Sequence, residues 1–224
     1  MLDLSSDAGP PLPWWPQERR GSLELDKIAA AAIDLIDEGG ESYLTMRRLA
    51  ERLDTAPMTI YWYVPNRDQL LALVRDHAMG PLLVAVHGTN GWRETLASLA
   101  WAMRRELVDA HPNLVSIVSG PTELPGPNAL ALIDRVLGAL LSSGFEPADA
   151  AWAFQLTQNA ALTYRATVPT PGLEMHFASV AEQYPSLAAV IVGHLESRST
   201  DDPFAATIDA TILGIAGVLG KETP

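Results

Sequence analysis

The residues best placed to do chemistry lie between Thr45 and Arg67. Four arginines (Arg47, Arg48, Arg52 and Arg67) stand there against two acids, Glu51 and Asp54, in a chain whose formal net charge is −12. Beside them runs Met58-Thr59-Ile60-Tyr61-Trp62-Tyr63, more aromatic surface than a solvated helix carries. Guanidinium groups reach phosphates and guanine edges, and aromatic or methyl-bearing side chains pack on sugars and thymine methyls, so the combination suits a DNA groove. A plainer role also fits, with the aromatics in the core and the arginines on a solvated face, and periodicity alone does not separate the two. Covalent chemistry has no comparable cluster. The chain has no cysteine, which excludes disulfides, thiolate metal sites and cysteine nucleophiles. Its acids Asp109, Glu123, Asp134 and Asp149 fall on separate elements, and neither a glycine-rich phosphate loop nor a metal-ligand spacing occurs. The expectation is a protein that binds rather than catalyses, without catalytic residues, cofactor or metal.

Two short helices must position those side chains. Thr45 is a good N-cap, and Met46, Leu49, Ala50 and Leu53 recur at helical spacing along one apolar stripe. The chain breaks at Asp54-Thr55-Ala56. Pro57 suits the first turn of a second helix, because its missing N–H would be unpaired there. Val64-Pro65 ends that helix, since the residue before a proline is pushed out of the helical region. Two short helices joined by so tight a turn make a helix-turn-helix, whose second helix can enter a major groove. A preceding helix over residues 23–38, with Leu25, Ile28, Ala29, Ala32, Leu35 and Ile36 on one face, covers their back and stops at Gly39-Gly40. Asn66, with Gln69 three residues on, caps a fourth helix to about Met79, where Gly80-Pro81 ends it and marks a domain boundary.

Thr-x-Arg-x-Leu-Ala-x-x-Leu from Thr45, followed by Thr-Ile-Tyr-Trp-Tyr-Val-x-Asn-Arg-x-x-Leu-Leu from Thr59, resembles the DNA-binding domain of the TetR (tetracycline repressor) family. The resemblance is strong over residues 23–80 and looser beyond. It implies an all-α homodimeric repressor on a palindromic operator, released when a small-molecule inducer binds the larger C-terminal domain. The fourth helix would be the rod that links the two domains. Residue by residue, Thr45 matches a phosphate-contacting cap and Arg47 a base-reading position. Pro57, Met58 and Thr59 match the start of the recognition helix, Tyr61, Trp62 and Tyr63 its groove and backbone contacts, and Arg67 a residue that pins a phosphate. Ala56 departs from the pattern, since many members carry a serine-like cap there, and alanine caps worse by about 1 kcal/mol. The positions matching the drug- and magnesium-binding histidines of the type member hold Leu83 and a residue near Val118, so the implied inducer is not tetracycline with magnesium.

The remaining chain reads as follows. Residues 1–20, with Pro10, Pro11, Pro13 and Pro16 around Trp14-Trp15, form a leader that cannot be a regular helix: a disordered segment, or an arm that touches DNA or a partner. Residues 21–80 are the DNA-binding domain and residues 81–224 a helical ligand-binding and dimerisation domain. Residues 81–224 hold fourteen acids and seven bases, so most of the negative charge sits away from any duplex. Apolar residues make up 48% of the chain, enough for a globular core, while no run is long and charge-free enough to span a membrane and no secretory signal opens it. A cytoplasmic protein is expected. Helices are predicted over residues 92–110, 114–118, 128–142, 148–166, 173–184, 186–194 and 203–219, with no strand.

The last of these helices is apolar nearly all round and carries one charge, Asp209. Phe204, Ile208, Ile212, Ile215 and Leu219 are the residues expected to meet a second subunit, in a four-helix bundle with the 148–166 helix. The alternative is a helix buried within one chain. For a ligand, the expected contacts are Trp101, Met103, Arg104, Trp152, Gln155, Asn159, Thr163 and Tyr164, because apolar walls with a few convergent polar groups make a small-molecule cavity. Gln155, Asn159 and Thr163 share one helix face, which serves equally for hydrogen bonds across a dimer. A helical small-molecule carrier is the other function class these helices fit, but it leaves residues 45–67 without a use.

Overall fold

Leu25, Ile28, Ala29, Ala32, Leu35 and Ile36 fall on one stripe, and the chain buries that stripe in helix α1 (Leu25–Gly39). The computed structural model describes residues 24–86, 91–120, 125–164, 183–186 and 202–220. The leader over 1–20 and, residues 183–186 aside, the helices expected over 173–184 and 186–194 lie outside the described residues. Gly40 closes α1 at φ +76°, a left-handed conformation that glycine adopts without cost. Gly39 is small for a different reason: a Cβ there would meet the Tyr43 ring at 2.6 Å.

A 3₁₀ turn (Glu41–Tyr43) leads into α2 (Met46–Arg52), then α3 (Pro57–Tyr63) and α4 (Arg67–Ala85). These four helices form the head, its core closed by Leu44, Leu49, Ile60, Val64 and Leu70, each almost wholly buried. Helix α4 does not stop at Gly80-Pro81 as expected. It runs on to Ala85 because Leu82 is fully buried and Arg135 donates to the Leu83 carbonyl oxygen at 2.6 Å, holding the last turn down. Pro81 lies exposed, and its missing N–H leaves a single carbonyl unpaired in the ladder.

The body contains α5 (Trp92–Met103), α6 (Val115–Val118), α7 (Pro127–Ser142), α8 (Pro147–Thr163) and α9 (Pro203–Val218). The helix expected over 92–110 widens after Met103 into a π segment, Arg104–Asp109. Its looser turn brings residues five apart together, and Arg104 Nε donates to Asp109 Oδ1 at 2.7 Å. Trp92 packs edge-on against Phe145 at 5.1 Å between centroids, locking the start of α5 to the α7–α8 corner. No strand occurs among the described residues, and no described helix is long and apolar enough to cross a membrane.

Candidate nucleic-acid interface and ligand cavity

The turn between α2 and α3 is built by the backbone. Thr55 N–H donates to the Ala50 carbonyl at 3.0 Å and Asp54 N–H to that of Glu51 at 3.3 Å, with Asp54 left-handed at φ +48°. These paired bonds are the Schellman arrangement, which satisfies the carbonyls left over at a helix C-terminus. At the other end of α2, Thr45 Oγ1 accepts from Arg48 N–H at 3.2 Å, which leaves its own hydroxyl hydrogen free for a phosphate. Ala56 precedes α3 without a side-chain cap, so Pro57 at the first position carries the start of that helix.

Helix α3 exposes Met58 (68%), Trp62 (64%) and Tyr61 (43%), side by side on its outer face. Pro57 is exposed beside them. Thr59 and Tyr63 are half-buried, so the stretch divides its duties: Ile60 is core, Tyr63 leans on the core, and the rest faces outward.

The arginines divide as well. Arg48 lies over the Tyr43 ring at 3.7 Å and donates to the Tyr43 carbonyl oxygen, and Arg52 pairs with Glu38 at 2.6 Å and Asp34 at 3.7 Å. Arg67, expected on a phosphate, donates instead to the carbonyl oxygens of Leu44 (2.7 Å) and Glu41 (3.0 Å) and to Glu41 Oε1 (3.2 Å). It brackets the start of α4 to the loop before α2. Arg47 is the most exposed of the four, its side chain 82% exposed with only a loose 3.5 Å approach to Glu51.

In the body, Gln155, Asn159 and Thr163 of α8, all exposed, line a solvent-open cavity of about 480 Å³ together with Val118, Ser119, Leu137, Ala151, Phe154, Gln158 and Leu162. Every one of these described lining residues is uncharged. The apolar walls from α6 and α7 carried no sequence signal of their own, apart from the family position near Val118. The other expected ligand residues go elsewhere. Met103 is fully buried in the core. Trp101 and Tyr164 pack edge-on against Phe204 at 4.9 and 5.4 Å, and Arg104 stacks over the Phe204 and Tyr164 rings while pairing with Asp109. Trp152 is 44% exposed and outside the cavity lining. This aromatic knot joins α5, α8 and α9.

The expected subunit-facing residues also need correction. Phe204, Ile208, Ile212 and Ile215 are buried inside this same chain and Leu219 is half-buried, because α5 and α8 already cover that side of α9. The uncovered side of α9 consists of Ala206, Asp209, Ala210, Leu213, Gly214, Gly217 and Val218.

Head and body meet at specific hydrogen bonds. On α4, Arg75 Nε donates to the Ile117 carbonyl of α6 at 2.7 Å, and the buried carboxylate of Asp76 accepts from Ala129 N–H in the first turn of α7 at 2.8 Å. Burial raises the Asp76 pKa above its ordinary value, against the lowering effect of those amide donors. At the end of α1, His111 Nδ1 lies 2.6 Å from Asp37 Oδ2 and Asn113 donates to the Ile36 carbonyl at 3.1 Å.

Two family models match the chain. Residues 28–74 match the family described as "Bacterial regulatory proteins, tetR family", and residues 86–219 match "Tetracyclin repressor-like, C-terminal domain". The chain belongs to the TetR family. Among TetR-family relatives, an HTH-type transcriptional regulator of Saccharopolyspora erythraea is 35% identical over 65% of this chain and 62% of its own length. The HTH-type transcriptional repressor DrrR1 of Streptomyces coeruleorubidus is 35% identical over 58% of this chain and 50% of its own. The chain thus spans roughly half to three-fifths of the length of these curated relatives. Apo ActR of Streptomyces coelicolor superposes with a TM-score of 0.73 at 28% identity, covering 92% of this chain and all of that one. The same protein in complex with actinorhodin superposes at 0.70 with 25% identity, covering 90% of this chain and 99% of that one.

Proposed function

We propose that this TetR-family chain is a sequence-specific DNA-binding repressor that works as a homodimer in the cytoplasm and leaves its operator when a small molecule fills the α6–α7–α8 cavity. The observation that carries the DNA reading is the contrast within the head: every other motif arginine is pinned to protein, while Arg47 extends to solvent on the helix before an outward Met58-Tyr61-Trp62 face. Arg47 is then the base-reading residue, the α3 face packs on the groove, and the Thr45 hydroxyl meets a phosphate.

The ligand reading is supported by a cavity whose wall, α6, is hydrogen-bonded to the rod α4 through Arg75. A molecule that moves α6 therefore acts on the helix that carries the recognition motif. Gln155, Gln158, Asn159 and Thr163 offer amides and hydroxyls to such a molecule, and Phe154 offers a ring face. ActR, which shares this fold, has been solved with actinorhodin, and an uncharged cavity of this size with one aromatic wall, Phe154, suits a ring-containing small molecule.

The test is a gel shift with the intergenic DNA flanking the gene, across a salt series and with a library of polycyclic compounds. A sharp shift that survives competitor DNA and is reversed by a compound supports the proposal. Binding that is equally tight to any sequence, and unaffected by compounds that occupy the cavity, refutes it.

A further inference from the structure

The cavity does not end at α8. Ser119, Leu162 and Thr163 also line a second crevice of about 400 Å³, whose far wall is Gly40 and Glu41 of the head. The two spaces share those three residues and so adjoin, and a ligand that bridges them would have one trough, from Phe154 in the body to the loop that precedes α2. Glu41 is the one charged residue among the described lining of either space. Its Oε1 accepts from Arg67 at 3.2 Å; Oε2 takes no hydrogen bond among the described residues. A trough that is neutral along its length and anionic at one end matches a particular shape of molecule.

We propose that the trough takes an elongated ligand with a neutral, ring-containing body and a basic amine at one end, the body lying against α8 and the amine reaching Glu41. This rests on the reading of the α6–α7–α8 cavity as the inducer site and extends it to the head. The amine meets a carboxylate that Arg67 also uses, so occupancy draws Glu41 away from the bracket holding the loop before Thr45. Ligand and recognition motif would then touch through one side chain, in addition to any motion of α4.

The experiment uses the full chain and two matched probes: an anthraquinone bearing a short alkylamine, and the same compound N-acetylated. Dissociation constants are read from tryptophan quenching for the wild type, Glu41→Gln and Ala151→Trp, after circular dichroism has shown each variant folded. The amine should bind the wild type about fivefold more tightly than the acetylated probe, the size expected of one half-exposed ion pair. Glu41→Gln should remove that difference and leave the acetylated probe unchanged. Ala151→Trp, which fills the body of the trough, should weaken both probes together. Equal binding of the two probes by the wild type, or a difference that persists in Glu41→Gln, overturns the extension to the head while the cavity reading stands. If Ala151→Trp binds both probes as the wild type does, or neither probe binds at all, the cavity reading fails and this proposal with it.

Discussion

Arg47 and Arg67 carry the same charge on one small domain and are held in opposite ways. Arg47 projects from the first turn of α2 with only Glu51 nearby, whereas three hydrogen bonds fold Arg67 onto the loop that precedes that helix. Charge available to DNA is therefore less than the composition of residues 45–67 suggests. Arg47→Ala should cost about 1–3 kcal/mol of specific binding and relax preference at one base pair per half-site, read by fluorescence anisotropy against operator variants. Unchanged discrimination would remove Arg47 from base reading. Arg67→Ala should lower stability by about 1–2 kcal/mol through its lost carbonyl bonds, measured by urea unfolding, while the salt dependence of DNA binding keeps its slope. A slope reduced by one phosphate contact, with stability intact, would return Arg67 to the DNA.

Among the elements, α4 does the joining. Adjacent residues Arg75 and Asp76 grip the end of α6 and the start of α7, placing a cation at a helix C-terminus and a carboxylate at an N-terminus, as helix dipoles favour. Asp76→Ala should cost about 1–2 kcal/mol, because Ala129 N–H loses its acceptor in a buried place. Asp76→Asn keeps an acceptor and tests the charge. Burial raises the Asp76 pKa above the ordinary 3.8, so in the pH window above 3.8 the folded chain binds a proton that the unfolded chain does not. This group's contribution to stability is therefore greatest at acid pH and declines as pH rises through the folded value. Denaturation across that range should show a smaller decline for Asp76→Asn than for the wild type. Parallel curves would mean that the carboxylate stays ionised in the fold.

For the whole molecule, the question is which side of α9 is left over. Its large residues, Phe204, Ile208, Ile212 and Ile215, are consumed by α5 and α8, and the uncovered side is, apart from Asp209, small residues around Leu213 (67% exposed) and Val218 (74%). Alanines and glycines allow a second helix to approach closely, and an apolar strip of this kind is costly to leave in water. Leu213→Asp should therefore give a monomer with a near-native melting temperature, followed by sedimentation velocity. A charge at Ile212 would instead unfold the body, since that side chain is buried in its own chain. A Leu213→Asp protein that still sediments as a dimer would exclude this face.

Local signals alone determined the head. Thr45 and Asn66 as caps, Pro57 at a first turn and the Val64-Pro65 stop act within a few residues, and the structure places α2, α3 and the start of α4 where they direct. The described helices of the body were legible in the same way, because glycine and proline punctuation is also local. Tertiary structure decided which face of each element is spent and on what. Pro81 failed as a stop because burial of Leu82 and the bond from Arg135 outweigh one missing donor. Trp101, Arg104 and Tyr164 went to an aromatic knot around Phe204, and Gln155, Asn159 and Thr163 to a cavity, although all six looked alike as ligand contacts. An all-round apolar helix such as α9 does not encode its own inward side. That choice comes from the neighbours that reach it first, and they are distant in sequence.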